Sequence, residues 1–241
     1  MSKIFKGFAL AVSMLSIIPF FKVHDFYKGI NGYAVMFYPF IGFLLGLILY
    51  SAYLGFSPIF PSLHVSVILL ALWVLLTGAL HLDGLSDTID GLFVEKHRAL
   101  EVMKDPHNGG MGMIFTIIFL LLKTSSLAVL DVFYLLPVIL MLSRLGAVIE
   151  IYLYPYISKN GMGSLAKAEL TQGQFFIALI YTFLISVLFG SYMLLFGMLI
   201  GILLLKSFFI KRYGGFTGDI YGFSIEITEL LLLNLIIVGM V

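Results

Sequence analysis

The run from Phe175 to Ile210 carries a single charge, Lys206. As one helix it would be roughly 54 Å long at about 1.5 Å per residue, whereas a bilayer core of about 30 Å takes roughly 20 apolar residues. The run is therefore read as two membrane crossings joined at Gly190-Ser191. The same length criterion gives seven crossings in all, near 33–54, 62–80, 111–130, 132–154, 174–189, 191–210 and 221–240. Ahead of them, Gly7 to Phe20 is too short to cross comfortably and ends at Pro19 with no small-residue cleavage site after it, which points to an interfacial or re-entrant helix rather than a cleaved leader. The expected fold is all-α: one polytopic membrane domain over residues 1–241. Composition agrees, since 61% of residues are hydrophobic and 11% charged, against about half and a quarter in soluble domains. A net charge of +1 gives no reason to expect nucleic acid, and the absence of cysteine excludes thiolate catalysis and thiolate metal sites.

Orientation follows from the cations, because Lys and Arg concentrate in cytoplasmic loops. Lys3, Lys6, Lys22, Lys28, Lys96, Arg98, Lys104, Lys159, Lys167, Lys211 and Arg212 all fall on one side of the seven-crossing arrangement, and the loops at 55–61, near 131 and near 190 hold none. The N-terminus is thus expected in the cytoplasm and the C-terminus outside, in the plasma membrane. Removing one crossing would scramble this segregation.

At the cytoplasmic end of the second crossing lies His81-Leu82-Asp83-Gly84-Leu85-Ser86-Asp87-Thr88-Ile89-Asp90-Gly91. If the apolar helix continues through it, Asp83, Asp87 and Asp90 share one face, where like charges repel unless a cation sits between them. Carboxylates beside a membrane suit a hard ion, Mg²⁺ or alternatively Mn²⁺, acting with substrate phosphate oxygens. A merely solvated acidic loop is the bland alternative. His81 fits either a hydrogen-bond donor to phosphate or a structural helix-end residue. Two glycine-rich turns, Lys104-Asp105-Pro106-His107-Asn108-Gly109-Gly110-Met111-Gly112 and Lys211-Arg212-Tyr213-Gly214-Gly215-Phe216-Thr217-Gly218-Asp219, lead into helices on the same side. Each can offer backbone N–H groups to phosphate, or simply turn the chain. Lys211 and Arg212 suit a pyrophosphate but are also ordinary flanking charge, and Asp219 suits a metal. Inside crossings, where charge is costly, Glu226 and Glu229 share a face; Arg144 is their candidate counter-ion or a phosphate clamp, with Glu150 its rival partner. Lys123, His64 and Asn234 read as packing or edge features.

These residues resemble the cobalamin (5'-phosphate) synthase family of adenosylcobinamide-GDP ribazoletransferases. The resemblance rests on the His81–Gly91 block, Lys104-Asp105 with Gly109 and Gly112, Ser143-Arg144, Gly214–Asp219, and the trailing Glu226 and Glu229, with Pro39, Gly42 and Gly46 in the first crossing. The turn departs from the family's common Arg-Asp-Ser, reading Lys104-Asp105-Pro106, and Met111 stands where a histidine can occur; Lys for Arg loses the bidentate fork. Glu150 belongs to no motif of the family. The resemblance implies Mg²⁺-dependent transfer of adenosylcobinamide phosphate from adenosylcobinamide-GDP to α-ribazole or its 5'-phosphate, releasing GMP, by a protein compatible with homo-oligomers. Asp83, Asp87 and Asp90 would hold the metal, joined by Asp219. The two turns, through Gly109, Gly112, Gly214, Gly215, Thr217 and Gly218, would orient phosphates, and His81, Lys211, Arg212, Glu226 and Glu229 would be further substrate-binding residues. Arg144 or Lys104 would neutralise developing charge, and Asp90 or Asp105 would act as general base. Asp87-Thr88-Ile89-Asp90-Gly91 is also similar to the opening of the CDP-alcohol phosphotransferase signature, which keeps a lipid-synthesising transferase as the alternative.

Overall fold

Without water to bond, backbone groups in a bilayer must pair within the segment, so apolar runs become helices. The computed structural model describes residues 2–19, 21, 26–105, 107, 109–158 and 161–240; Phe20, Lys22, Pro106, Asn108 and Lys159, used in the sequence argument, lie outside the described residues. In order the helices are α1 (Lys3–Leu15), α2 (Ile30–Phe56), α3 (Ser62–Thr77), α4 (Leu80–Leu92), α5 (Ala99–Val102), α6 (Gly110–Ala128), α7 (Leu136–Leu153), α8 (Met162–Glu169), α9 (Gln172–Leu188), α10 (Tyr192–Tyr213) and α11 (Gly218–Met240), with no strand among the described residues. A 3₁₀ turn, Phe133–Leu135, precedes α7.

Five helices are long and apolar enough to cross alone: α2, α6, α7 with its 3₁₀ turn, α10 and α11. Two bent pairs, α3 with α4 and α8 with α9, raise the number to seven, at the positions expected from sequence. The two pairs, bent by 89° and 99°, count as spans only when each is taken as one broken crossing. The 175–210 run breaks at Gly190, whose φ of 63° suits a residue without a Cβ. Thr171 starts α9 by a reciprocal capping box with Gln174, which stops α8 from continuing straight into it.

The centre of the bundle is α7, buried at every residue from Leu136 to Ile151. A helix apolar around its whole circumference belongs inside. Helix α2 lies against it through Gly42 and Gly46, where an added Cβ would collide with the Leu140 and Pro137 backbones; this small-residue spacing is a common device for close helix contact in membranes. Helix α1 does not cross. It packs on α2 with Ala9, Ala11 and Leu15 buried, and just beyond it Ile17 N–H donates to the Leu76 carbonyl at 2.9 Å, next to the α3–α4 bend.

Candidate active site

From sequence, the second crossing ends near 80 and the shared face of the aspartates is conditional on the helix continuing through them. In the structure the helix breaks at Gly78 and Ala79, with φ of 60° and 57°, and restarts at a right angle. Two successive left-handed residues turn the chain sharply, and Ala79, which carries a Cβ, does so at a cost of roughly 1–2 kcal/mol. Within α4 the expected shared face survives. Asp83 is exposed, Asp87 half-buried and Asp90 buried.

Glycine determines what that face meets. An added Cβ on Gly84 would lie 2.8 Å from the Asp219 carbonyl, and one on Gly222 3.2 Å from the His81 carbonyl, so α4 and the start of α11 cross almost backbone to backbone. The crossing brings Asp83 and Asp219 onto one cavity of about 610 Å³, whose lining also includes His81, Lys104, Tyr156, Gly218 and Tyr221. Burial, then the neighbouring Asp83, Asp219 and Asp90 charges, push Asp87 up to about 7. Among the described residues none of Asp83, Asp87 and Asp219 forms an ion pair. Nor do three His, Asp or Glu side chains there form a ready-made metal cage. Crowded carboxylates with no direct ion pair fit Mg²⁺, which binds through one or two carboxylates, waters and substrate phosphate.

The glycine-rich turns have a different local role from phosphate cradling. The Asp90 carboxylate accepts from Gly109 N–H and from Gly112 N–H, both at 2.8 Å, so it caps α6 from inside and occupies two of the donors expected to face substrate. In the second turn Phe216 N–H donates to the Pro155 carbonyl and Ile157 N–H to the Phe216 carbonyl, both at 2.9 Å. Gly215 permits that contact, because a Cβ would strike the Pro155 carbonyl. Gly214, φ 84°, ends α10. Thr217 accepts from Ile220 N–H at 3.2 Å, capping α11. Arg212 donates to the Leu92 carbonyl at 2.8 Å, at the carbonyl-rich end of α4, while Lys211 is exposed. Asp105 is exposed and held below the usual carboxylate range by hydrogen bonds from His107; it does not line the cavity.

Four intramembrane charges, Lys123, Arg144, Glu226 and Glu229, form one buried cluster. Lys123 Nζ donates to Glu226 at 2.8 Å and to Glu229 at 2.5 Å, with the Trp73 ring centroid 3.9 Å away. Glu229 also pairs with Arg144. Arg144 is thus the counter-ion of the earlier alternatives, with Glu229 as its partner; Glu150 forms no ion pair among the described residues. Arg144 Nη2 lies 3.4 Å from His81 Nδ1; a guanidinium only donates, so Nδ1 accepts and His81 Nε2 carries the proton. Lys123 was passed over as packing. A lysine inside a crossing requires a buried partner, and that signal was available.

Comparison with known proteins adds the family. The model of cobalamin-5-phosphate synthases matches residues 7–237. An adenosylcobinamide-GDP ribazoletransferase of Thermosynechococcus vestitus is 41% identical, covering 83% of this chain and 84% of its own length. Proteins of the same name from Desulforamulus reducens and Acinetobacter baumannii (strain ACICU) are 36% and 34% identical over nearly the whole of both chains. No solved structure matches.

Proposed function

Because the chain belongs to the cobalamin-5-phosphate synthase family and has that family's transferase activity on adenosylcobinamide-GDP, we propose that the reaction takes place at the α4–α11 crossing, on the cytoplasmic side of the plasma membrane. The supporting observation is that two backbones meeting at Gly84 and Gly222 gather Asp83 and Asp219 at one cavity with Lys104, with Asp87 near enough to feel both carboxylates. The acceptor is α-ribazole or its 5'-phosphate. Its ribose hydroxyl oxygen bonds to the phosphorus that carries the cobinamide, the P–O bond to GMP breaks, and the hydroxyl proton passes to the carboxylate cluster.

Mg²⁺ held by one or two of Asp83, Asp87 and Asp219 would supply charge neutralisation for the pyrophosphate and the departing GMP. Lys104, at the cavity, attracts the same phosphates as a point charge. His81 Nε2–H is a neutral donor aligned by Arg144 and Glu229. Asp90 acts by holding Gly109 and Gly112 in place, not by taking the proton, and Arg144 acts through His81 and Glu229 rather than clamping phosphate.

The test is a transfer assay on detergent-purified full-length protein, with adenosylcobinamide-GDP and α-ribazole 5'-phosphate. Equal amounts of corrin product and GMP, formed with Mg²⁺ and abolished by EDTA, are expected. Folded protein that yields neither with Mg²⁺ or Mn²⁺, but turns over CDP-diacylglycerol and a small alcohol, would replace this reading with the CDP-alcohol one.

A further inference from the structure

The cavity at the α4–α11 crossing has two unlike kinds of wall. Asp83 and Lys104 are exposed and Asp219 is half-buried. Much of the remaining lining is buried and apolar, with Leu15 of α1, Tyr38 of α2, Ala147 and Ile151 of α7 and Ile225 of α11. The Tyr38 hydroxyl is occupied, donating to Met14 Sδ at 3.7 Å. Two other polar groups of the lining are not: His81 Nε2 and the Tyr221 hydroxyl have no hydrogen-bond partner among the described residues, although His81 is 3% and Tyr221 6% exposed. Buried polar groups are nearly always satisfied, so both call for a partner from what the cavity holds.

The histidine is the more selective of the two. Its Nδ1 accepts from Arg144 Nη2 at 3.4 Å, Arg144 is paired with Glu229, and Glu229 with Lys123. A buried charge network on one edge of the ring thus fixes the tautomer, and Nε2, which points away from Nδ1, donates and cannot accept.

The group that fits such a place is a flat apolar ring with one hydrogen-bond acceptor and no N–H. The benzimidazole of α-ribazole is a ring of this kind, because one nitrogen carries the ribose and the other is unsubstituted. Guanine there would set its N1–H and N2 amino donors against hydrocarbon and a histidine that also only donates, which leaves buried groups unpaired. We propose, on the basis of the transferase reading above, that the buried part of the cavity is the base subsite of the acceptor, with His81 Nε2–H donating to the unsubstituted ring nitrogen. The Tyr221 hydroxyl, which can both donate and accept, suits a hydroxyl of the attached ribose.

The test compares two acceptors in transfer from adenosylcobinamide-GDP by the detergent-purified full-length protein with Mg²⁺. One is α-ribazole 5'-phosphate; the other is its indole counterpart, in which C–H replaces the unsubstituted ring nitrogen. Wild type should use the indole acceptor about tenfold or more less efficiently by kcat/KM, since His81 Nε2–H is then left buried without a partner. His81→Leu has no donor to lose and should use the two acceptors within about twofold of each other, at a lower rate. Equal use of both by wild type overturns the assignment, as does a folded His81→Leu protein that keeps the wild-type preference. Should that variant not fold, the wild-type pair still decides. Wild-type protein that forms no corrin product and no GMP with either acceptor would instead remove the transferase reading itself.

Discussion

Two acidic clusters lie within the same bundle and are treated in opposite ways. Glu226 and Glu229 sit in the interior against Lys123 and Arg144, their charges cancelled inside a buried contact. Asp83 and Asp219 line a cavity that they share with Lys104, Asp87 feels the charge of both, and none of the three forms an ion pair among the described residues. Carboxylates of the first kind are neutralised by partners within the chain; those of the second kind are the ones proposed to meet a cation and a phosphate. Sequence gives both the same appearance, acids at helical spacing.

The comparison is sharpened first at the mouth. Asp83→Asn and Asp87→Asn should each reduce transfer by on the order of 10²–10³ or more, while detergent gel filtration and thermal unfolding stay near wild type. Either variant folding normally and keeping full activity would put the mouth with the structural carboxylates. The interior should behave in reverse. Lys123→Met leaves two buried carboxylates short of a partner and should cost about 3–5 kcal/mol, seen as a large loss of folded protein. A stable Lys123→Met protein with wild-type melting would show that the cluster does not hold the bundle.

Smaller effects test the geometry that separates the two regions. Gly222→Ala introduces a Cβ against the α4 backbone and should cost about 1–3 kcal/mol by overpacking, lowering activity and melting temperature together. An unchanged melt would mean the helices can part without penalty. Ala79→Gly relieves a left-handed alanine and should stabilise by up to about 1 kcal/mol, with activity retained. Destabilisation of that variant would show that the backbone strain assigned to Ala79 is absent.

The two clusters also mark what sequence makes legible. Crossings are readable because length and apolarity alone determine them, and all seven positions fall on helices α2, α3, α6, α7, α9, α10 and α11. The right-angle bend is not, since it depends on Ala79 adopting a conformation that alanine ordinarily avoids. The aspartate face is legible from its i, i+4, i+7 spacing, whereas the close approach of another helix at Gly84 is seen only in the structure. Its connection to Asp219 required the α4–α11 crossing. The glycine-rich turns misled because composition reveals that N–H groups are available, not which way they point; Asp90 takes those of Gly109 and Gly112. Glu226 and Glu229 were recognised as needing partners, yet Lys123, distant in sequence, was not paired with them.

The most direct test of the central claim concerns Asp219, the carboxylate that only the crossing joins to the α4 acids. GMP release by purified wild type and Asp219→Asn would be followed over stepped Mg²⁺ concentrations, with both proteins verified as folded. The account predicts that EDTA abolishes release by wild type and that Asp219→Asn needs markedly more Mg²⁺ and turns over more slowly. A folded Asp219→Asn protein with the wild-type Mg²⁺ dependence and rate would contradict it.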